Sequence, residues 1–257
     1  MPDWGGWRAG TRLAALALAI LARSAMADLV VPPGATIDLG TGTFDLGCTD
    51  VQVAGTLIVG GTLNNVRHFS ILPGGNVLTT NGSIDVGGNW SNQGSFGSGT
   101  TIVRFRDLCG VADATISGNT TFSDVSFVTT TGKAYRFAVG SNQTITGLLE
   151  MLGTGAPIRF YSTLAGNVAT IDLKPSGTQQ ILNVGVSDVW AIGQWLAPNQ
   201  TNVPGFGNAN RWFGVPTANT PIPLIDRTAL AVLAALLALA GSLAIRRRRE
   251  APRGRMP

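Results

Sequence analysis

Through the middle of the chain, apolar and polar residues alternate in short runs separated by glycine or asparagine. Ala35–Leu39, Gly55–Val59, Phe69–Leu72, Asn76–Thr79, Ser83–Val86 and Thr101–Phe105 are the first of these runs. Thr121–Phe127, Tyr135–Val139, Gln143–Thr146, Pro157–Phe160, Ala169–Leu173 and Gln180–Val184 continue the series. A period of two marks half-buried strands. Thr121–Phe127 is the clearest case: Phe122, Val125 and Phe127 sit among Ser, Asp and Thr, with one break of register.

The runs recur about every eight to twelve residues, a spacing that suits a sandwich, a barrel or a solenoid. Three features favour an all-β, right-handed parallel β-helix or similar solenoid. The apolar residues come in short triplets, as a narrow coil interior requires. Asn64-Asn65, Asn81-Gly82, Gly87-Gly88-Asn89 and Gly118-Asn119 place residues that tolerate positive φ where corners are needed. No helical period runs through the segment. A β-sandwich of immunoglobulin type is the alternative. The repeat is irregular, and the runs cannot be assigned to individual turns.

The two ends are different in kind. Residues 1–27 read as a signal peptide: Arg8 and Arg12 precede the apolar stretch Leu13–Ala22, and Ala25-Met26-Ala27 fits the small-x-small cleavage pattern. At the other end, Thr228–Ile245 is uncharged and nearly all Ala, Leu, Val or Ile. As a helix it would extend roughly 27 Å, close to the hydrocarbon thickness of a bilayer. Arg246, Arg247, Arg248 and Arg249 follow it and should hold that end in the cytoplasm. The chain therefore divides into a signal peptide (1–27), an extracytoplasmic all-β domain (28–214), a linker (215–227), one transmembrane helix (228–245) and a basic tail (246–257).

Charge changes the picture of partners. The chain carries a net charge of +4, yet residues 28–220 hold eight basic and eleven acidic residues. The basicity belongs to the two ends. A nucleic-acid-binding domain needs a basic patch of its own, so that class is excluded.

Candidate chemistry is sparse. Cys48 and Cys109 are expected to pair in an oxidising compartment, closing a loop of about sixty residues and stabilising by roughly 4 kcal/mol. His68 is the only histidine, so neither a histidine-assisted hydrolase nor a zinc site is expected. The acids are scattered. Asp45 and Asp50 are the nearest approach to a calcium set, without the full ligand pattern. Arg104, Arg106 and Asp107 are the nearest approach to the clusters of β-helix lyases, and read as outward residues beside a strand. No phosphate loop is present. No metal, cofactor or catalytic residue is assigned. Trp190, Trp195 and Trp212 gather near the end of the domain. They are candidates for glycan stacking, although such residues more often cap a solenoid end.

The tail also carries a resemblance. Pro221-Ile222-Pro223-Leu224, the Ala/Leu run and Arg246–Arg249 resemble the IPTL-CTERM sorting signal, a relative of PEP-CTERM found on secreted proteins of Gram-negative bacteria. That family reads Ile-Pro-Thr-Leu, often with a Trp before the helix; here the Thr is absent and Arg227 stands near the Trp position. The resemblance implies a sorting motif at Ile222, Pro223 and Leu224. It also implies an exosortase-type membrane enzyme as partner, with a temporary inner-membrane tether before release to the surface. Signal peptidase would be the other processing partner, and a polysaccharide a candidate ligand. The block Asn89–Phe96 is similar to the Trp-x-Asn-x-Gly-x-Phe turns of solenoid-like bacterial surface and adhesin-type proteins. The function expected is that of an exported, non-enzymatic surface or matrix protein. A β-helix carbohydrate-active enzyme or a carbohydrate-binding module is the alternative.

Overall fold

The break in the alternation of Thr121–Phe127 is a corner. Phe122 and Val125 are both buried, but they belong to different strands that meet at Ser123 and point inward from two faces of a coil. The computed structural model describes residues 27–203 and 207–214. It is all-β, a parallel β-solenoid of about seven turns, without a helix among the described residues. Pairing is parallel throughout, so the sandwich alternative falls.

The strands are β1 (Leu29–Val31), β2 (Thr36–Asp38), β3 (Thr43–Val53), β4 (Thr56–Val59), β5 (Thr62–Ile71), β6 (Asn76–Thr79) and β7 (Ser83–Val86). Then come β8 (Trp90–Asn92), β9 (Ser95–Gly97), β10 (Ile102–Phe105), β11 (Asp113–Gly118), β12 (Thr120–Phe122), β13 (Asp124–Thr131) and β14 (Ala134–Phe137). The last are β15 (Asn142–Ile145), β16 (Leu148–Ala156), β17 (Ile158–Ser162), β18 (Ala169–Leu173), β19 (Thr178–Leu182), β20 (Val184–Ser187) and β21 (Val189–Ala191).

They form three faces. The first carries β7, β10, β13, β16 and β19; the second carries β8, β11, β14, β17 and β20. The third is split into β2-β4-β6-β9 and β12-β15-β18-β21. The long strands β3 and β5 bend round the corner between the first two faces. Thus Leu63 of β5 pairs with β7 while Phe69 of the same strand pairs with β8.

Inside, each residue stacks on its counterpart one turn away. Phe69 and Trp90 are register partners with ring centroids 4.8 Å apart. Phe105 and Phe127 repeat the arrangement at 4.7 Å, and Tyr135 and Phe160 at 5.8 Å. Each such pair contributes about 0.5–1.5 kcal/mol beyond its buried area. The first turns lack this ladder and are filled by Val31, Val51, Val53, Leu57, Val59, Leu63 and Val66.

The corners follow from residue chemistry. Asn65 (φ 53°), Gly118 (φ 75°) and Asn183 (φ 54°) take the left-handed conformation that Asn and Gly tolerate. At Gly118 a Cβ would lie 1.8 Å from the Asn92 carbonyl oxygen, so only glycine fits. The Trp-x-Asn-x-Gly-x-Phe block, between β8 and β9, is a corner built without a left-handed residue. Trp90 and Phe96 turn inward and meet edge to face at 5.1 Å. Between them Asn92 accepts from the Gly94 amide (3.2 Å) and donates to the Asn119 carbonyl (3.0 Å) one turn on.

The last turn is closed by residues 194–203 and 207–214. Leu196 and Trp212 are buried there and share a β-bridge. Side-chain amides take the place of a next turn. Asn202 accepts from the Val186 N–H (2.7 Å) and donates to its carbonyl (2.9 Å), and Gln200 donates to the Ile181 carbonyl (2.5 Å). Gln179 likewise accepts from the Ala197 N–H and donates to the Trp195 carbonyl. Edge groups that would otherwise invite another strand are thereby satisfied.

Candidate functional site

The segment joining β10 to β11 does not take the short way round its corner. It folds back along the outside of the coil. The Leu108 carbonyl lies against Gly87, where a Cβ would come within 2.7 Å of it. Cys109 sits 3.9 Å from the Asn65 carbonyl oxygen, a contact only, since a bridged sulfur has no hydrogen. It ends in a disulfide with Cys48, the two Cα atoms 5.3 Å apart. The expected pairing is therefore present. Its geometry adds what spacing could not give: the bridge joins the fourth turn to the first through a strap, residues 106–112.

Two charged residues pin the strap from the other side. The Asp107 carboxylate accepts from the Thr129 hydroxyl (2.8 and 2.9 Å), the Thr130 N–H (2.8 Å) and hydroxyl (3.2 Å), and the Thr131 N–H (3.2 Å). Burial alone would push this carboxyl up; the bonds from Thr129, Thr130 and Thr131 outweigh it and hold the group below its ordinary value. Lys133 is 2% exposed. Its ammonium donates to the Gly87 carbonyl and to the Arg106 carbonyl (3.2 Å), and lies 5.6 Å over the Tyr135 ring. Burial lowers its pKa to about 8, against the opposing charges of Asp107 and Asp113. Burial also pushes the Tyr135 hydroxyl up.

Arg104, Arg106 and Asp107, the nearest approach to the clusters of β-helix lyases, each have protein partners. Arg104 and Arg106 both approach Asp85, at 3.4 and 3.8 Å. Asp107 is committed to the threonine run, and a carboxylate so stabilised in its ionised form is a weak general base. Asp45 accepts from Gly47 and Asn65, and Asp50 takes a two-point contact from Arg67. Among the described residues no cluster of His, Cys, Asp and Glu could hold a metal. His68 accepts the Asn89 N–H at a corner (2.9 Å).

Beside the strap, the outer surface of the first face carries an open groove of about 320 Å³. Arg106, Asp107, Ser126, Val128, Thr130 and Glu150 line it. Parallel register stacks Asp85, Arg104, Ser126, Glu150 and Gln180 into one polar column, a turn apart. Glu150 accepts the Ser126 hydroxyl and has no cationic partner among the described residues. Next to this column runs an apolar one, Val128, Leu152 and Leu182. Sequence reasoning missed Lys133, Ser126 and Glu150. The signals within reach were a lysine in a domain almost free of lysine and the Thr129–Thr131 run that follows a strand.

The three tryptophans differ in their surroundings. Trp190 points outward from the third face beside Thr170. Trp195 is 38% exposed, with the Arg211 guanidinium 5.8 Å over its ring. Trp212 is 4% exposed and leans on Phe213 as part of the closing segment.

Ala27 is exposed and lies just before β1. Ala25, Ile222, Pro223, Leu224, the run 228–245 and Arg246, Arg247, Arg248 and Arg249 lie outside the described residues. Among those described, no helix is long and apolar enough to cross a membrane. Compared with family models, curated proteins and solved structures, the chain shows no match.

Proposed function

We propose that this chain is an exported, non-enzymatic cell-surface or extracellular-matrix protein, processed through an IPTL-type C-terminal sorting signal. The Cys48–Cys109 disulfide carries the reading. Such bridges form and persist in oxidising compartments outside the cytoplasm, and this one links the first turn of the coil to the fourth. The commitment of Asp107, Arg104 and Arg106 to internal partners favours a binding or structural role over catalysis.

On this reading signal peptidase cuts after Ala27, and the coil forms outside the cytoplasm. It winds right-handed, as parallel crossovers of right-twisted strands do. The Thr228–Ile245 helix, stopped by Arg246–Arg249, then presents Ile222-Pro223-Leu224 to an exosortase-type enzyme. Mass spectrometry of the protein from membranes and from culture medium tests the sequence of events. A mature start at Asp28 and a C-terminus near the Pro221–Leu224 motif are expected. Copies that all run intact from Met1 to Pro257 would sink the proposal.

A further inference from the structure

We infer that the groove on the first face binds a linear, uncharged polysaccharide laid along the coil axis, with Glu150 and Arg106 as its principal polar contacts. The inference deepens the surface-protein reading by naming a site and a ligand class for it. It starts from register. A parallel coil repeats each outward position at about 4.8 Å, so Asp85, Arg104, Ser126, Glu150 and Gln180 form a ladder with one polar group per step. That advance is comparable with the length of one sugar unit in an extended pyranose chain. The groove is open rather than enclosed, which suits a polymer that enters and leaves.

The chemistry of the ladder selects among polymers. Guanidinium groups only donate, carboxylates only accept, and hydroxyl and amide groups do both. A chain of sugar hydroxyls can answer all three. An acidic polymer would need surplus positive charge, but Arg104 and Arg106 lie among three carboxylates, Asp85, Asp107 and Glu150. Asp107 and Glu150 leave the groove with negative charge to spare. A cationic polymer would meet the two guanidiniums. Glu150 is the group with capacity left. One oxygen accepts from Ser126, and the other has no donor among the described residues. A half-buried carboxylate with free acceptor capacity gains most from a ligand hydroxyl. The apolar column completes the site. Val128, Leu152 and the 59% exposed Leu182 lie two residues along from the polar ladder, on the same side of the sheet, and offer a surface for the C–H faces of the same sugars.

The strap explains why the groove has a wall. Asp107 and Thr130 rise at its edge, held by the disulfide on one side and Lys133 on the other. A wall fixed in advance lowers the ordering cost of binding.

The test is a calorimetric or NMR titration of the purified full chain in detergent. The probes are uncharged β-1,3- and β-1,4-glucan hexasaccharides, a hexameric oligogalacturonate and hexalysine. Saturable binding of an uncharged hexasaccharide is expected, weakened roughly tenfold by Glu150→Gln, as loss of one hydrogen bond to a charged group implies. Arg106→Ala and Leu182→Lys should weaken it as well, and Trp195→Ala should leave it unchanged, with all variants keeping the parent circular dichroism spectrum. Failure of every uncharged sugar to bind would overturn the inference. So would tighter binding of oligogalacturonate or hexalysine, release of new reducing ends, or loss of binding with Trp195→Ala while Glu150→Gln binds normally. The titration does not depend on export or tail processing, so its failure and the failure of the surface-protein reading are separate results.

Discussion

Lys133 and Arg106 meet through a buried ammonium and a backbone carbonyl oxygen 3.2 Å apart. The lysine side chain thereby reads the position of the strap, while the arginine's own side chain turns outward to Asp85. The same ammonium also holds Gly87, so three successive turns converge on one nitrogen. Lys133→Met should lower the unfolding midpoint, and protection of the strap amides in hydrogen exchange should fall with it.

The same residue gives a pH dependence. Its folded pKa, about 8, lies below the ordinary 10.5. Between these values the unfolded chain binds the extra proton, so stability rises with pH across that window. Lys133→Met removes this contribution. The difference in thermal midpoint between parent and variant, measured from pH 8 to 10.5, should shift in the parent's favour as pH increases.

Asp107 predicts the opposite limb. Its carboxyl is held below the ordinary 3.8 by Thr129, Thr130 and Thr131. The stabilisation is fully present above that value and is lost as pH falls through the folded pKa. Asp107→Asn should be less stable than the parent at pH 6. Its acid-unfolding curve should also be flatter below about pH 4.

Cutting the strap's covalent anchor should act locally. Cys48→Ser with Cys109→Ser removes a closure worth about 4 kcal/mol on the chain-entropy account. Hydrogen exchange should show the loss concentrated in residues 29–66, where no aromatic ladder reinforces the coil, and protection should persist around Phe105 and Phe127. Uniform loss over all turns would contradict the assignment of the bridge as a staple for the first turns.

Two glycines with similar backbones separate strain from space. Gly118 and Gly140 have φ of 75° and 73°. A methyl group at Gly140 meets nothing within 4 Å, whereas at Gly118 it strikes the Asn92 carbonyl. Gly140→Ala should cost about 1 kcal/mol, the left-handed penalty alone. Gly118→Ala should cost more than twice that by denaturant unfolding, because the backbone of two turns must separate.

Strands and corners were legible because they depend on neighbours in sequence. Asn76–Thr79, Ser83–Val86 and Ala169–Leu173 coincide with β6, β7 and β18. Where two strands abut, pattern alone fails. Gln180–Val184 reads as one run, but Asn183 turns it from the first face to the second. Turn assignment was out of reach because the period drifts. Phe69 pairs with Val51 after 18 residues, while Thr178 pairs with Leu148 after 30. The groove depends on that drift: Ser126 stands beside Glu150 only once the register is known, so no local spacing announces it. The Cys48–Cys109 bridge was legible as chemistry, since the chain holds only two cysteines and they have few alternatives in an oxidising compartment. The strap that delivers one to the other was not, because its path is set by contacts with Gly87 and Asn65.

The bridge has a mechanical consequence. Pulled apart at its ends, a coil of stacked turns unwinds one turn after another and lengthens as it does so. Here the 61 residues of separation between Cys48 and Cys109 are shorted by the disulfide, which withholds about 200 Å of contour at roughly 3.4 Å per residue. Force would therefore open residues 29–47 and the chain from Ala112 onward and then stop at a fixed length, leaving the turns between Cys48 and Cys109 as an inextensible segment until the bridge is reduced.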